Sequence, residues 1–462
     1  MVPRPPVTRA ARVCSLGALG ALVALVVLAG CGADPAVRAA ARGDLPALHQ
    51  QLDQRAADGK LDEGTVRDVA RAVLEHDVAR YEGSEGARRV EALGGCASPL
   101  KGSLRRLSEG DDDAAASAAM LLLETDAVDV DAWADARRDD PNPRWRAVAT
   151  RGSIGPGDAA LRAARAHDDD RRVRRAAIDA AGMAGCASDF PLLLEAARHD
   201  PETITRVDAV RMLARASVRL EGDALRAELV DRLHDLWAAG DEPLRGAIAR
   251  AWAAPALVSL GGARDLQAIV TGVDAAGEGH VAVEAAAALM STGSVDGEAR
   301  LVTLAEHGDA AVRAHALRLL DPTRPAHLDA LHAAMQPAAQ GPDASDAREV
   351  AAESVARLPR SIADGLPRPG GVDVHAEALA TLSALAALPD RTGTDAAIAL
   401  AELGDDSVRA RLVGELGTRS PLRARAAGAL TRLGHAGDAR ALLWADDLDV
   451  RDAAACALLG PR

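Results

Sequence analysis

The chain has 462 residues, 48% of them hydrophobic but only 2% aromatic, and a formal net charge of −14. That acidity argues against DNA, RNA or an anionic lipid surface as the main partner. The scarcity of aromatic rings and the abundance of Ala argue against a sandwich of sheets and for short helices packed at close backbone distance.

The first 31 residues read as an address. Arg4, Arg9 and Arg12 precede an unbroken small-and-apolar run from Leu16 to Leu28, which ends on Ala29-Gly30-Cys31. A basic flank, an apolar run and a small-residue exit are the pattern of a secretory signal peptide. The exit Leu28-Ala29-Gly30-Cys31 resembles the bacterial lipobox. That resemblance implies cleavage after Gly30, diacylglyceryl modification of the Cys31 thiol and acylation of the new amino terminus. Several acyl chains hold a protein at a membrane where one is marginal. Gly32 in place of Asp after the Cys favours the outer membrane of a bacterial cell envelope. Without residues 1–30 the chain carries −17, because that segment holds three Arg and no acid.

After a short tether, Asp44 offers a helix cap for Leu45 to Ala57 and Thr65 one for Val66 to Tyr81, with a first break at Gly83 to Gly86. The expected organisation is a leader over 1–30, a tether and N-terminal helical hairpin over 31–84 that caps an array, and a solenoid over 85–358. A Pro/Gly-rich break over 359–371 and further helices over 372–462 complete it. Through the solenoid the skeleton Asp-x-x-(Val/Leu)-Arg recurs at Asp170, Asp241, Asp309, Asp405 and Asp447, with Asn142 replacing the acid once. The first three intervals correspond to units in the low thirties, suited to stacked pairs of short helices. Residues three, seven and eleven beyond each Asp are apolar, such as Val312, Ala316 and Leu320, which places them on one helical stripe. The Asp should cap its helix, and the Arg four positions later should turn back to it or reach a neighbouring unit.

Asp-x-x-Val-Arg opening the second helix of a pair resembles the HEAT-repeat superfamily, in particular the short HEAT-like repeats of phycobilisome bilin lyases. The resemblance implies an all-α, right-handed α-solenoid whose second helices line the concave side, with protein binding as the common role. HEAT-like members also include enzymes, so an envelope enzyme or cofactor-handling protein is the alternative to a scaffold.

No residues carry that alternative. None of the twelve His is followed by Glu, the pairing that the HEAT-like di-iron enzyme deoxyhypusine hydroxylase uses. His327 and His332 are five apart and do not share a helical face; His315 reads as an inter-helix or groove residue. The acid clusters at Asp111–Asp113, Asp139–Asp140 and Asp168–Asp170 lack the pattern of a calcium loop and read as helix caps. There is no phosphate loop and no nucleophile constellation. The expectation is therefore a scaffold with no catalytic residue, cofactor, metal or small-molecule substrate, with Cys31 as its lipidation site and a protein as its partner.

Of the remaining cysteines, Cys96 and Cys186 are separated by about three units, some 30 Å in a straight array, too far for a disulfide. They and Cys456 read as small buried residues interchangeable with Ala. Among the five Trp, Trp252 falls in a core column, whereas Trp133 and Trp145 lie close together in one pair, where exposure would make them an interface anchor.

Overall fold

The structure, a computed structural model, describes residues 34–125, 136–220, 222–272, 279–336 and 344–460. The leader, Cys31 and Trp133 lie outside the described residues. Within them every regular element is a helix. The fold is an all-α solenoid of helical pairs.

The recurrent Asp does cap. Asp170 accepts the backbone N–H of Arg172, Asp241 that of Leu244, Asp309 that of Val312 and Asp447 those of Asp449 and Val450, all at 2.8–3.3 Å. Asn142 does the same for Arg144. The residues three, seven and eleven positions on are buried: Val173, Ala177 and Ala181 in one unit, Leu244, Ile248 and Trp252 in another. Each such Leu or Ile contributes roughly 1.5–3 kcal/mol by leaving water. Small residues set the spacing. Gly86, in the Gly83–Ala92 helix, has the backbone carbonyl carbon of Tyr81 within 2.8 Å of where a Cβ would stand. Its segment was expected to be a break; it opens a helix instead, and Asp112 from the next unit accepts the Gly83 N–H at 2.6 Å. Likewise the helix expected to start from a cap at Thr65 begins at Glu63, because Asp62 takes the Thr65 N–H at 2.8 Å.

The Arg of the motif reaches the neighbouring unit. Arg146 grips Asp168 through two nitrogens at 2.9 and 3.0 Å and donates to the carbonyls of Asp140 and Pro141. Arg174 holds Asp200 at 2.8 Å and the carbonyls of Asp168 and Asp169 at 3.1 Å. Arg206, four residues beyond Glu202, repeats the pattern with Asp241 at 2.7 Å and the Asp200 carbonyl. Each guanidinium thus ties its own inter-helix turn to an acid in the turn that follows the first helix of the next pair. The fork of five N–H donors suits this double duty.

The last of these Arg closes the array on itself. Arg451, in the Leu448–Leu459 helix, donates to the Ala445 carbonyl at 2.8 Å and holds Asp77 at 2.9 and 3.2 Å. Asp77 ends the Glu63–Val78 helix, so it stands where Asp168 and Asp200 stand in their own units. That helix packs directly on Leu448–Leu459. The two chain ends share one core, in which Val66, Val73 and Leu100 join Ala427, Leu443 and Leu458. Helix Glu63–Val78, assigned by sequence to a capping hairpin, is therefore the neighbour that the C-terminal pair would have if the array continued. The helices form a closed circuit.

A disulfide between Cys96 and Cys456, with Cα atoms 5.5 Å apart and 360 positions between them, crosses this seam. The reading of both as free Ala-like residues is corrected. It assumed an open array, in which sequence distance and spatial distance grow together. Cys186, by contrast, is free. Arg88 with Asp449, Arg440 with Asp53, and His49 stacked on Trp444 at 4.5 Å add to the closure.

The repeat register after 400 also differs from its reading. The second helix of that unit is Arg391–Glu402, capped by Asp390, and it packs onto Ala344–Ala356 and Arg423–Arg432. Asp405 instead caps a 3₁₀ turn, Asp406–Val408, that leads into Arg409–Leu416, a first helix. Between these layers the 359–371 stretch holds a short helix, Arg360–Ala363, and a 3₁₀ turn. The flanking helices Ala344–Ala356 and Val374–Ala386 pack on each other, and one core runs from Ile178 to Leu430.

One seam group titrates in an informative direction. Asp452 is 6% exposed and accepts the Tyr81 hydroxyl at 2.6 Å. Burial pushes its carboxyl up to about 6, the Tyr81 bond and Arg89 oppose that, and the Asp77 charge adds to it. Because the folded value exceeds the unfolded one of about 3.9, the native state binds more protons between pH 4 and 6, and stability falls as pH rises through that window. Relative to Asp452→Asn, wild type should gain about 2 kcal/mol on going from pH 7 to pH 4. Parallel melting profiles of the two proteins across that range would contradict this.

Candidate protein-binding groove

Three consecutive second helices, Asp113–Glu124, Pro143–Gly152 and Arg171–Ala184, present their outward residues side by side and leave a groove of about 510 Å³. Its floor is made of small and flexible apolar groups, Ala116, Met120, Ala147 and Ala176, and Ile204 of the following unit stands at its edge, 48% exposed. The small floor residues follow from the stacking: wherever two second helices approach closely, Ala fits and a larger side chain does not.

The walls are charged. Arg144, Arg151, Arg171, Arg172 and Arg175 line the groove against Glu91, Glu124 and Asp179. Asp113, Asp170 and Asp208 add to these acids from just outside the lining, so most of the wall Arg are already paired. Arg144 is held by Glu91 and by the Ser117 hydroxyl at 2.8 Å. Arg151 lies 3.8 Å from Asp179, whose carboxyl is pushed up by burial and drawn down by Arg151. Arg175 is paired with Asp208 at 2.8 Å. Arg171 is exposed and has no ion-pair partner among the described residues, and Arg172 is exposed beside Asp170, 3.4 Å away. The two Arg therefore stand at the helix start with most of their hydrogen-bonding capacity turned to solvent. Sequence reading passed over this set, although the i, i+4 spacing of Arg171 and Arg175 puts them on one face.

The residues singled out from sequence lie elsewhere. His315 contacts Glu284 at 3.1 Å, and Arg250 holds the other oxygen of the same carboxylate at 2.8 Å. It is an inter-helix group, as read. His327 is fully buried and accepts the Asp321 N–H at 2.9 Å, and burial lowers its basicity. His332 pairs with Glu377 at 2.8 Å. The structure brings none of these to the groove. Trp145 and Trp252 are core, 2% and 1% exposed; Trp145 gives its N–H to the Asp111 carbonyl and carries Arg137 on its face, 4.5 Å from the ring centre. Of the acid clusters, Asp112 caps Asp113–Glu124, whereas Asp168 and Asp139 receive Arg146 and Arg165 from neighbouring elements. Among the described residues no group of three His, Cys, Asp or Glu is placed to hold a metal ion, and no helix is long and apolar enough to cross a membrane.

Comparison with known proteins agrees locally. The family model for HEAT repeats matches residues 130–214, the stretch that contributes Arg144, Arg151, Arg171, Arg172 and Arg175. No curated protein matches the chain. Among solved structures, the crystal structure of an engineered protein is similar over 80% of this chain and 98% of its own, at 20% identity and a TM-score of 0.27, a superposition too loose to support a shared architecture. Residues 130–214 are similar to HEAT repeats, and they include two of the three helices that form the groove.

Proposed function

We propose that this chain is a scaffold of the bacterial cell envelope, anchored through acylated Cys31, that holds a protein partner on its second-helix face. The observation that carries the binding role is the solvent-open groove across three second helices, apolar at its floor and charged at its walls. An interface of that composition, an apolar centre within a polar rim, is what protein recognition uses.

The disulfide supports the compartment. A bond between Cys96 and Cys456 persists where thiols are oxidised, as in a periplasm, and is rare where glutathione keeps them reduced. That agrees with the lipobox reading of residues 28–31; Gly32 alone favours the outer membrane. The anchor is tested by growing cells on labelled palmitate. Wild type should carry the label and Cys31→Ala should not; an unlabelled wild-type protein contradicts the anchor. The binding role is tested by crosslinking in intact cells, which should recover a specific protein bound to the chain.

A further inference from the structure

We infer that the groove takes an acidic, amphipathic segment of a partner protein, a deepening that rests on the protein-binding reading above. Charge complementarity selects that occupant. Arg171 has no acid partner among the described residues and Arg172 only a 3.4 Å contact to Asp170, on a chain that is −14 as a whole, so an acidic segment finds open guanidinium donors at this edge of the groove. Arg is the side chain that grips carboxylates bidentately. Arg171 and Arg172 meet the incoming segment with little of their donor capacity spent. Met120 at the floor and Ile204 at the edge are the apolar contacts for the segment's other face, and Met adapts its shape to what it meets.

The same features disfavour a polyanion. A nucleic acid strand carries unbroken charge beyond any one groove, and the chain as a whole is −14. A groove of about 510 Å³ accommodates only a few side chains, which is the scale of one turn or two of a peptide laid across the helices.

The test uses the full chain purified in detergent and two fluorescein-labelled peptides, one of alternating Glu and Leu pairs and one with Lys replacing Glu, together with a labelled oligothymidylate. The Glu/Leu peptide should bind and the Lys/Leu peptide should not. The double change Arg171→Glu with Arg172→Glu should weaken the Glu/Leu peptide at least tenfold. Both positions lie in the exposed first turn of their helix, where Glu favours the dipole, so folding should be retained and circular dichroism will show it. Equal affinity in that variant, tighter binding of the Lys/Leu peptide, or preferential binding of oligothymidylate each overturns the inference. The parent reading fails separately. A partner recovered by crosslinking in cells equally by wild type and by the double variant leaves the scaffold standing and removes the groove; recovery of no partner removes both.

Discussion

Replacing Arg162 with Leu will cost about 3–5 kcal/mol, a large loss for one substitution. Arg162 is 0% exposed and its partner Asp189 1% exposed. The guanidinium holds both carboxylate oxygens, at 3.0 and 2.8 Å, and gives two further bonds, each of 2.8 Å, to the carbonyls of Ser153 and Gly155. It therefore joins the Ala159–Arg165 helix to the turn before it and to the 3₁₀ turn of the next unit. Removal leaves a buried carboxylate, the buried Ser153 carbonyl and the half-buried Gly155 carbonyl without their donor. The loss comes mainly from those orphaned groups rather than from the attraction itself, so the double change Arg162→Met with Asp189→Leu should recover part of the stability. Thermal melts of wild type and the two variants will check this. A double variant less stable than Arg162→Leu would mean that packing, not an orphaned charge, governs the site.

The second large effect concerns the seam. Changing both Cys96 and Cys456 to Ser should lower the free energy of opening there by about 3–5 kcal/mol, because the bond closes a loop of 360 positions and removes that entropy from the open state. Each pair in such an array contacts chiefly its neighbours, so the loss should be local. Amide exchange should speed up first in Glu63–Val78 and Leu448–Leu459, the helices that meet at the closure, while Arg171–Ala184 on the far part of the array keeps its protection. The closure should persist in weakened form, since Arg451 on Asp77 and Tyr81 on Asp452 are untouched by the change and the shared apolar core loses only its two sulfurs. Uniform loss of protection along the whole chain would indicate that the array unfolds as one unit.

The repeat itself was legible because its causes are local. An Asp at a helix start finds backbone N–H groups within three residues, and an apolar residue at every fourth position makes a stripe whatever lies beyond. Asp170, Asp241, Asp309 and Asp447 behave accordingly. What a local motif does not carry is the layer in which its helix lies. The same five-residue pattern opens a second helix at Asp309 and a first-helix segment at Asp405, because Asp390 had already capped the second helix of that unit.

Closure was illegible for a related reason. Nothing in the residues around Cys96 distinguishes them from those around Cys186, since Gly-Cys-Ala-Ser occurs at both. The difference is made by small rotations between many successive pairs, which sum to bring residue 456 back to residue 96. Arg162 was hidden for its part in an Ala-rich helix, where an Arg ordinarily points to water; its burial depends on Asp189, which arrives from the next unit. The groove left a trace in sequence, the clustered Arg of residues 144–175, that was masked by attention to the one Arg per unit that builds the ladder.

The closed circuit, and with it the proposed oxidising compartment, is tested most directly by peptide mapping of the protein isolated from its own cells with thiols blocked before lysis. A non-reducing digest should contain one linked pair joining the peptides around Cys96 and Cys456, with Cys186 blocked as a free thiol. Recovery of Cys96 and Cys456 as separately blocked thiols would contradict it.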